Sequence, residues 1–450
     1  MSQRIDTSGG KATSINLFSF KAPHMRVFHI TWFTFFLCFF GWFGLAPLMP
    51  IIRDEFQLTK GQIGNLMIAS VAMPIFARLI IGWLCDKIGP RLSYTYLLIL
   101  GSIPVMLVGL SDSYESFLIF RLAIGVIGAS FVISQYHTSV MFAPSIIGTA
   151  NATVAGWGNL GGGITQMAMP VLFAAIVGLG YTSPDAWRIA MVIPGIALFI
   201  MGIIYYKYTQ DTPEGNVLEL RKNDPEYKAK QGDSASVWSA FTNYRVWILF
   251  LCYGACFGIE ITMDNLATLY FVDNFNLSIE HAGIIAAVFG GMNLFARALG
   301  GYFSDKVNLK HGIRYRVILL GLFLAFEGLG MMLFSTMNSL IPAILCMIGF
   351  AFFVKMSNGV TYSIVPFVNK KAMGTISGIV GAGGNVGAVM AGFVFKTENI
   401  SYQQGLWYVG VAVIVVGLLA FLLKFKEENQ TADIIMENNT KAIEPLAAVN

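Results

Sequence analysis

Two arginines occupy matching places in a twelve-residue pattern that the sequence carries twice. The pattern reads FARLIIGWLCDK from Phe76 to Lys87 and FARALGGYFSDK from Phe295 to Lys306, with six of twelve positions identical at an offset of 219 residues. Each arginine lies inside an apolar segment, where a charged side chain costs at least about 2.5–3.5 kcal/mol in a bilayer. Because this cost recurs at equivalent places, we interpret Arg78 and Arg297 as two halves of one anion-binding site.

A second repeat has nearly the same offset. Gly148 to Gly162 reads GTANATVAGWGNLGG and Gly374 to Ala388 reads GTISGIVGAGGNVGA, 226 residues later. Two repeats at similar offsets indicate two bundles in the same orientation, with a site at their interface near mid-membrane, as in an alternating-access carrier. We interpret the glycines of this repeat as small residues that let the two bundles touch and slide.

The composition places the chain in a membrane. Of its 450 residues 56% are hydrophobic and 12% are charged, whereas a soluble domain has about 25% charged residues. A net charge of +4, spread along the chain, argues against a nucleic-acid partner. The five cysteines all fall in apolar segments without metal-ligand spacing, so we expect no metal, no cofactor and no disulfide framework.

Apolar runs long enough to cross a bilayer, roughly 20 residues each, predict an all-α membrane protein with twelve transmembrane helices in two pseudo-symmetric six-helix bundles. The predicted helices cover about 26–52, 61–85, 92–111, 116–140, 147–177, 187–208, 244–272, 280–304, 314–335, 339–366, 373–395 and 402–423. The predicted domains are an N-terminal tail (1–25), a first bundle (26–208), a central loop (209–243), a second bundle (244–425) and a C-terminal tail (426–450).

The positions of Lys and Arg predict the orientation. If both termini are cytoplasmic, the cytoplasmic segments hold 21 of the 29 Lys and Arg residues and the outer loops hold four. Cytoplasmic loops carry such an excess of positive charge. The sequence therefore predicts a multi-pass protein of the cell membrane with both termini and the central loop in the cytoplasm.

Several motifs resemble a known family. Gly82, Asp86 and Arg91 in Gly-x3-Asp-Lys-x-Gly-Pro-Arg, and Gly301 and Asp305 in the second copy, resemble the loop signature of the major facilitator superfamily. The second copy lacks the trailing Gly-x-Arg, and the first has Pro90 where a basic residue is usual. The stretches AGWGNLGGG and GAGGNVGA resemble the paired signatures of the nitrate/nitrite porter family within that superfamily. The resemblance covers about residues 26–425, and it implies that the loop residues form the conformational switch.

The resemblance also implies a substrate and its ligands. Nitrate is expected between Arg78 and Arg297, with the signature residues Asn159 and Asn385 lining the same cavity. The resemblance further assigns Tyr253 and Phe257, one turn apart on the seventh helix, to the site. Nitrate is flat and accepts hydrogen bonds through three oxygens, and a guanidinium is a planar fork of N–H donors. Two such forks can hold one flat anion from opposite sides.

Two further charged residues are candidates for coupling transport to an ion gradient. Lys355 lies within the tenth helix, where it is either a group whose charge changes during the cycle or the ion-pair partner of Glu260 or Asp264 on the seventh helix. Glu260 is a candidate proton carrier or salt-bridge partner.

Three other polar residues within the helices have structural interpretations. We expect Arg121 to pair with an acid of the adjoining loops, His137 to have a hydrogen-bonded packing role, and Glu327 to face outward from its bundle.

The leading hypothesis is a secondary active transporter of nitrate, with nitrite as a second substrate, working as a monomer. Uptake of an anion against an inside-negative potential costs about 2.3 kcal/mol per 100 mV, so it must be coupled to a second gradient. Lys355 and Glu260 inside the membrane favour proton symport as that coupling. The alternatives are nitrate/nitrite exchange and transport of another small anion. A membrane enzyme or sensor is disfavoured, because neither catalytic nor ligand-binding spacing is present among the His and Cys residues.

Overall fold

The computed structural model describes residues 7–8, 10–143, 146–223, 240–369 and 373–425. Within this part of the chain, twelve helical segments are long and apolar enough to cross a membrane. We number these segments spans 1 to 12. Because their number is even, both ends of the described chain lie on one side of the bundle, the termini side, and the opposite side is the far side.

The bounds of the helices follow the apolar segments. Spans 1 to 6 are α1 (Pro23–Phe43), α3 (Lys60–Ile88), α4 (Pro90–Leu107), α5 with α6 (Tyr114–Gly125 and Ser130–Met141), α7 (Ile147–Gly178) and α8 (Ser183–Tyr208). Spans 7 to 12 are α10 (Tyr244–Phe275), α11 with α12 (Ile279–Gly291 and Ala296–His311), α13 (Ile313–Ser335), α14 (Leu340–Ile364), α15 (Met373–Lys396) and α16 (Tyr402–Ala420). Short helices α2 (Met49–Phe56) and α9 (Val217–Asn223) lie outside the spans, and β1 (Thr7–Ser8) pairs antiparallel with β2 (Lys11–Ala12).

Sequence-local signals explain where these helices start. Thr59, Ser113 and Ser401 form capping boxes at the starts of spans 2, 4 and 12, which satisfy backbone N–H groups that a helix start leaves free. Pro90 occupies the first turn of span 3, where its missing N–H costs nothing. The twelve-helix, two-bundle architecture agrees with the prediction, while the domain limits around 209–243 stay a prediction.

Three predicted helices are interrupted in the structure. The first was predicted over 26–52, but span 1 ends at Phe43 and α2 begins at Met49, on either side of Pro47, which cannot donate a helical hydrogen bond. Spans 4 and 8 each contain a 3₁₀ turn, at Val126–Ala129 and Met292–Leu294. Such mid-helix turns often mark functional hinges, and these two lie beside Arg78 and Arg297, as described below.

The two bundles meet along two pseudo-symmetric seams, span 2 against span 11 and span 5 against span 8. At the second seam Gly163 and Gly290 touch through their backbones: a Cβ on Gly290 would lie 2.1 Å from the Cα of Gly163. At the first seam a Cβ on Gly64 would lie 2.5 Å from Lys396. Close approach of backbones at small residues is how helices associate in a membrane.

Five glycines of the 148–162 and 374–388 repeat pack inside a bundle, contrary to the prediction, whereas Gly156 and Gly162 do meet the other bundle. Gly158 and Gly161 pack against Phe35 and Phe36 of span 1, within the first bundle. The equivalent glycines of span 11 pack against span 7, within the second bundle; they are Gly383, Gly384 and Gly387. These glycines therefore allow close packing of helices within each bundle. The sequence pattern showed that backbones approach there but could not show which neighbour they approach.

The N-terminal segment before span 1 packs onto the termini side. Ala12 forms a parallel bridge with Phe142 at the end of span 4, and the backbone N–H of Ala143 donates to the Ala12 carbonyl at 2.9 Å. Ile15 and Leu17 line a cavity of about 310 Å³ together with residues of spans 5 and 8, among them Trp157 and Asn293. This segment therefore covers the termini-side end of the span 5–span 8 seam.

Replacing Gly290 by Ala is expected to destabilise the fold, because its new methyl group would overlap Gly163 across the seam. Overpacking of this kind costs about 1–3 kcal/mol. The measurement is the thermal unfolding midpoint of the purified protein. The adjacent Gly291→Ala is the matched control, because nothing lies within 4 Å of its Cβ position; equal midpoints for the two variants would contradict the proposed contact.

Candidate functional site

Arg78 lies in span 2 and makes contact with both bundles. Its side chain is only 6% exposed. Nη1 donates to the Gly381 carbonyl of span 11 at 2.7 Å, and Nε and Nη2 lie 3.4 Å from the Gly128 carbonyl of span 4. Gly128 belongs to the 3₁₀ turn of span 4, which offers its carbonyl sideways. The Phe131 ring lies 5.4 Å from the guanidinium carbon, within cation–π range.

Arg297 lies in span 8, immediately after the 3₁₀ turn, and is 4% exposed. Its Nη2 donates to the hydroxyl of Tyr253 at 3.0 Å, and the Phe257 ring lies 6.0 Å from its guanidinium carbon. Its Nη1 is buried and has no hydrogen-bond partner among the described residues. A buried, unused donor on a cation is costly unless a ligand satisfies it.

Four aromatic rings, which we call the aromatic cage, connect the two arginines. Tyr253 and Phe257 stack with ring centres 5.0 Å apart at 10°. Tyr362 of span 10 packs edge-on against Tyr253 at 4.9 Å, and Phe131 packs edge-on against Tyr362 at 6.0 Å. The cage therefore consists of Phe131, Tyr253, Phe257 and Tyr362.

Both guanidiniums interact electrostatically with the same two tyrosines, Tyr253 and Tyr362. The structure thus brings the predicted residues Arg78, Arg297, Tyr253 and Phe257 together at one place between the bundles. Among the described residues, no carboxylate forms a salt bridge with either arginine. The place where they meet is consequently positive and largely shielded from water.

Two members of the cage, Phe131 and Tyr362, were missed in the sequence. Tyr362 is the one aromatic residue in the polar stretch KMSNGVTYS of span 10, a signal that could have found it. Phe131 is one of 36 phenylalanines and has no counterpart in either repeat, so nothing in the sequence distinguishes it.

The two signature asparagines occupy equivalent helices but differ in their bonds. Asn385 of span 11 donates from Nδ2 to the Val71 carbonyl of span 2 at 3.0 Å, across the seam. Asn159 of span 5 is buried with neither amide atom bonded among the described residues. It shares a helix face with Gly156 and Gly163, which contact span 8. One asparagine thus tethers the bundles, whereas the other keeps its amide available.

Lys355 and Glu260 pair with each other. The lysine Nζ lies 2.9 Å from Oε1 of Glu260, and both side chains are fully buried. The two oxygens of Glu260 also accept from Asn293 and Asn358, at 2.7 and 2.6 Å. Of the alternatives that the sequence left open, the structure therefore has the ion pair between Lys355 and Glu260.

Two expectations about buried charges were wrong. Arg121 pairs with no acid among the described residues: its Nη2 donates to Oδ1 of Asn265, in the other bundle, at 2.9 Å. Glu327 does not face outward; its side chain is fully buried and neither carboxyl oxygen has a hydrogen-bond partner there. Hydropathy alone does not reveal which side of an apolar helix packs inward, and both residues face protein.

His137 has the packing role expected of it. Its Nε2 donates to the Gln210 carbonyl at 2.8 Å, and its Nδ1 accepts from the Tyr205 hydroxyl at 2.6 Å. This bonding joins span 4 to the end of span 6 and leaves no ring nitrogen for proton relay.

Polar pairs across the interface close the far side. The Asn265 side chain accepts from Arg121 and from Ser70, which belong to spans 4 and 2 of the first bundle. Nearer the surface, Arg53 forms a salt bridge with Asp273 at 2.7 Å. The structure is therefore closed on the far side of the aromatic cage.

The first predicted switch loop, between spans 2 and 3, is organised by Asp211, which follows span 6. Its two oxygens accept from the backbone N–H groups of Arg91 and Val217 at 2.7 and 3.0 Å. Burial raises the pKa of the Asp211 carboxyl, while these two donors lower it. The Arg91 guanidinium packs 4.5 Å from the Tyr206 ring. Gly82 has only Val132 near its Cβ position, and the side chain of Asp86 lies outside the described residues.

The second switch loop uses different contacts. Asp305 accepts from Arg316 at 2.7 Å, and Arg316 also donates to the Ser363 carbonyl. Gly301 has open space at its Cβ position. The trailing Gly-x-Arg, thought absent, is present as Gly312-Ile313-Arg314, because span 8 runs about one turn further before the glycine. Gly89 and Gly312 both have positive φ, +86° and +81°, a conformation that favours glycine.

This arrangement can bind a small anion but offers little for covalent chemistry. Two guanidiniums from different bundles, one free N–H donor and aromatic faces suit a flat oxyanion. No group of three or more His, Cys, Asp or Glu residues able to hold a metal is present in the described segments.

Comparisons with known proteins place the chain among transporters. The model of the Major Facilitator Superfamily matches residues 31–392. The chain is 40% identical over 418 residues to the high affinity nitrate transporter 2.5 of Arabidopsis thaliana, covering 93% of this chain and 83% of that protein. It is 29% identical to the nitrate/nitrite transporter NrtP of Nostoc punctiforme, covering 91% of this chain and 94% of that protein.

Solved structures show the same fold. A bacterial homolog of the human lysosomal transporter Spinster, in an inward-facing and unoccupied conformation, has a TM-score of 0.69 and 17% identity, covering 89% of this chain and 97% of that one. The proton:xylose symporter XylE has a TM-score of 0.68 and 15% identity, covering 90% and 96%.

Replacing Asn265 by Ala is expected to loosen the far side, because Arg121 loses its partner in the other bundle. A hydrogen bond to a charged group is worth about 1.5–3 kcal/mol, so the free energy of unfolding should fall by that order. Asn274→Ala is the control, because this amide on the same span donates only to the carbonyl of Tyr270 one turn earlier. Equal free energies of unfolding for the two variants would argue against a stabilising role of the Arg121–Asn265 hydrogen bond.

Proposed function

We propose a function for this chain from one premise: it belongs to the major facilitator superfamily and, within it, to the nitrate/nitrite porter family. The proposed function is secondary active transport of nitrate, with nitrite as a second substrate, by alternating access of the two bundles. The observation that carries the proposal is the meeting of Arg78 and Arg297, from different bundles, at one aromatic cage. The names of the Arabidopsis and Nostoc relatives support the substrate class.

Nitrate would bind in the cage through both arginines. The unpartnered Nη1 of Arg297 donates to one oxygen. The Nη1 of Arg78, now 2.7 Å from the Gly381 carbonyl, exchanges that carbonyl for a second oxygen. Asn159 has a free amide on span 5 and supplies a donor to the third. Asn385, already bonded to Val71, acts mainly by holding spans 2 and 11 together.

The cage sets the size of the substrate. The faces of Tyr253 and Phe257 lie parallel, and a planar anion can lie against such a stack. Residue 384 is a glycine next to this stack, and any side chain there would clash, because its Cβ would lie 2.4 Å from the Phe257 ring. A larger carboxylate or phosphate ester would need space that these rings occupy, and a dianion would need more cations than two.

Alternation follows from the charges. Without substrate, the two guanidiniums repel each other because both are positive and no carboxylate pairs with them. Since they belong to different bundles, this repulsion acts between the bundles. An anion between them cancels this repulsion and draws the bundles together, so the occupied protein favours the state in which both arginines reach the cage. A ligand shifts a conformational equilibrium only by binding one state more tightly, and here the two-sided contact supplies that difference.

We further propose that transport is uptake into the cytoplasm, coupled to protons, by a monomer whose termini are cytoplasmic. Driving an anion inward against the membrane potential requires a second gradient. The buried pair of Lys355 and Glu260, beside Arg297, supports proton coupling. Nitrate/nitrite exchange is the alternative, and neither candidate requires an enzymatic step.

Replacing Arg78 or Arg297 by Lys is expected to abolish nitrate transport while the protein still folds and inserts. Lysine keeps the positive charge but loses the planar fork of donors. The measurement is counterflow of labelled nitrate in proteoliposomes. Arg188→Lys, a partly exposed arginine paired with Glu55 on the far side, is the control. Wild-type counterflow in either cage variant would contradict the proposed site.

The coupling is tested by nitrate-evoked current in proteoliposomes. Symport with two or more protons moves net positive charge with each nitrate, so an inward positive current is expected when the outside is acidic. An electrically silent flux that needs nitrite inside the vesicles would instead establish exchange.

A further inference from the structure

A polar cluster lies inside the second bundle, next to the anion site. Lys355 of span 10 pairs with Glu260 of span 7 at 2.9 Å. Two more carboxyls lie within electrostatic range of this lysine: Asp264 of span 7 and Glu327 of span 9. All four side chains are buried. One lysine is thus near three carboxyls, and it forms its salt bridge with Glu260.

Glu327 is the least satisfied member of the cluster. Neither of its oxygens makes a hydrogen bond of ordinary geometry with the described residues, and the Ser357 hydroxyl is a polar group close to its carboxyl. An ionised carboxylate in such surroundings loses its hydration without compensation, which costs several kcal/mol. Such surroundings favour the neutral form of a carboxyl unless a cation moves to it.

The surroundings of Glu327 contain one such cation. Span 7 presents Cys252, Cys256 and Glu260 towards it, and span 10 presents Lys355 and Ser357. Span 12 meets the neighbouring Gly328 through Gly410 and has no charged residue between Tyr402 and Ala420. Span 8 contributes Asp305, which pairs with Arg316 of span 9, and Arg316 is eleven residues, about three turns, away from Glu327 along span 9. Lys355 is therefore the cation available to Glu327.

We propose that Glu327 is a proton-binding site that couples proton movement to the anion site, with Lys355 moving between Glu260 and Glu327. This inference rests on the proposed transport of nitrate and adds a group that carries one of the coupled protons. With the proton bound, Glu327 is a neutral acid and Lys355 pairs with Glu260, as in this structure. When the O–H bond breaks, the proton leaves to water, and the Lys355 ammonium is shared by two carboxylates.

The charge of the cluster changes by one unit in this step, and Arg297 is close enough to respond. Arg297 interacts electrostatically with Glu260 as well as with the cage tyrosines. Protonation of Glu327 makes the cluster less negative and strengthens the positive field of Arg297, so nitrate binds more tightly. Loss of the proton weakens that field and favours nitrate release. By linkage, nitrate equally favours the proton.

Asp264 differs from Glu327 in its position. It lies at the bundle interface, where a Cβ on Gly162 of span 5 would be 3.1 Å from its carboxyl, and its backbone carbonyl accepts from Gln166. Its environment therefore changes when the bundles separate, whereas that of Glu327 lies within one bundle. Glu327 is the member that can keep its proton while the bundles rock.

The test measures nitrate affinity against pH in purified wild type and Glu327→Gln. Glutamine imitates the protonated acid. Wild-type affinity is expected to fall about tenfold between pH 6 and pH 8, a typical coupling between two sites. The glutamine variant should keep, at both pH values, the affinity that the wild type has at pH 6. A variant that retains the wild-type pH dependence would overturn the proposal.

Transport supplies a second readout. Glu327→Gln should retain nitrate counterflow at equal pH within about twofold, because exchange needs no net proton movement, but should lose accumulation driven by a pH gradient. Gradient-driven accumulation at the wild-type level would also overturn the proposal. Glu115→Gln, an exposed glutamate in the first turn of span 4, is the control and should behave as wild type.

Two outcomes separate this inference from the proposed function. If the wild type shows no nitrate counterflow, the proposed function fails. If the wild type transports nitrate and Glu327→Gln is indistinguishable from it, only the proton site fails. Should Glu327→Gln be unstable, Glu327→Asp decides: it keeps a titratable group and is expected to restore pH-dependent nitrate affinity, and pH-independent affinity in a folded Glu327→Asp would count against the proposal.

Discussion

Two buried guanidiniums, one from each bundle and both in contact with the aromatic cage, are the central constraint of this protein. Arg78 and Arg297 are almost completely removed from water, and no carboxylate among the described residues pairs with either. Backbone carbonyls, a phenol and aromatic rings partly replace their lost hydration. Such a site is expensive when empty and becomes favourable only when it holds an anion. In the function proposed above, this cost gives the substrate its influence on the position of the bundles.

The surrounding helices are shaped to tolerate that constraint. Spans 4 and 8 abandon regular α-helix for one turn, which points the Gly128 carbonyl at Arg78 and places Arg297 at the start of a new helical segment. Glycines along spans 5 and 11 seat spans 1 and 7 closely within each bundle. Contacts between the bundles include the two seams, the far-side bonds around Asn265 and the Arg53–Asp273 salt bridge.

The two bundles share a fold but not a chemistry. The first contributes Arg78, Arg121 and a free asparagine amide, and its buried histidine is fully bonded. The second contributes Arg297 together with a lysine and three buried carboxyls. Pseudo-symmetry therefore supplies the geometry of a two-sided grip, and its violation in the second bundle supplies groups that can exchange protons. In the function proposed above, this division lets one duplicated scaffold serve both substrate binding and coupling.

The sequence by itself determined the membrane class, the number of spans, the duplication and the arginine pair. The length of an apolar segment and the presence of a charge within it are local properties, so the sequence shows them directly. It also placed Tyr253 and Phe257, through family resemblance. Only the tertiary structure decided the neighbours: that Phe131 and Tyr362 complete the cage, that the repeat glycines pack inside each bundle, that Arg121 bonds to Asn265, and that Glu327 is buried beside Lys355. These facts depend on how helices far apart in sequence are rotated against one another. A uniformly apolar helix carries little periodicity to indicate that rotation, because lipid and protein interior are similarly apolar.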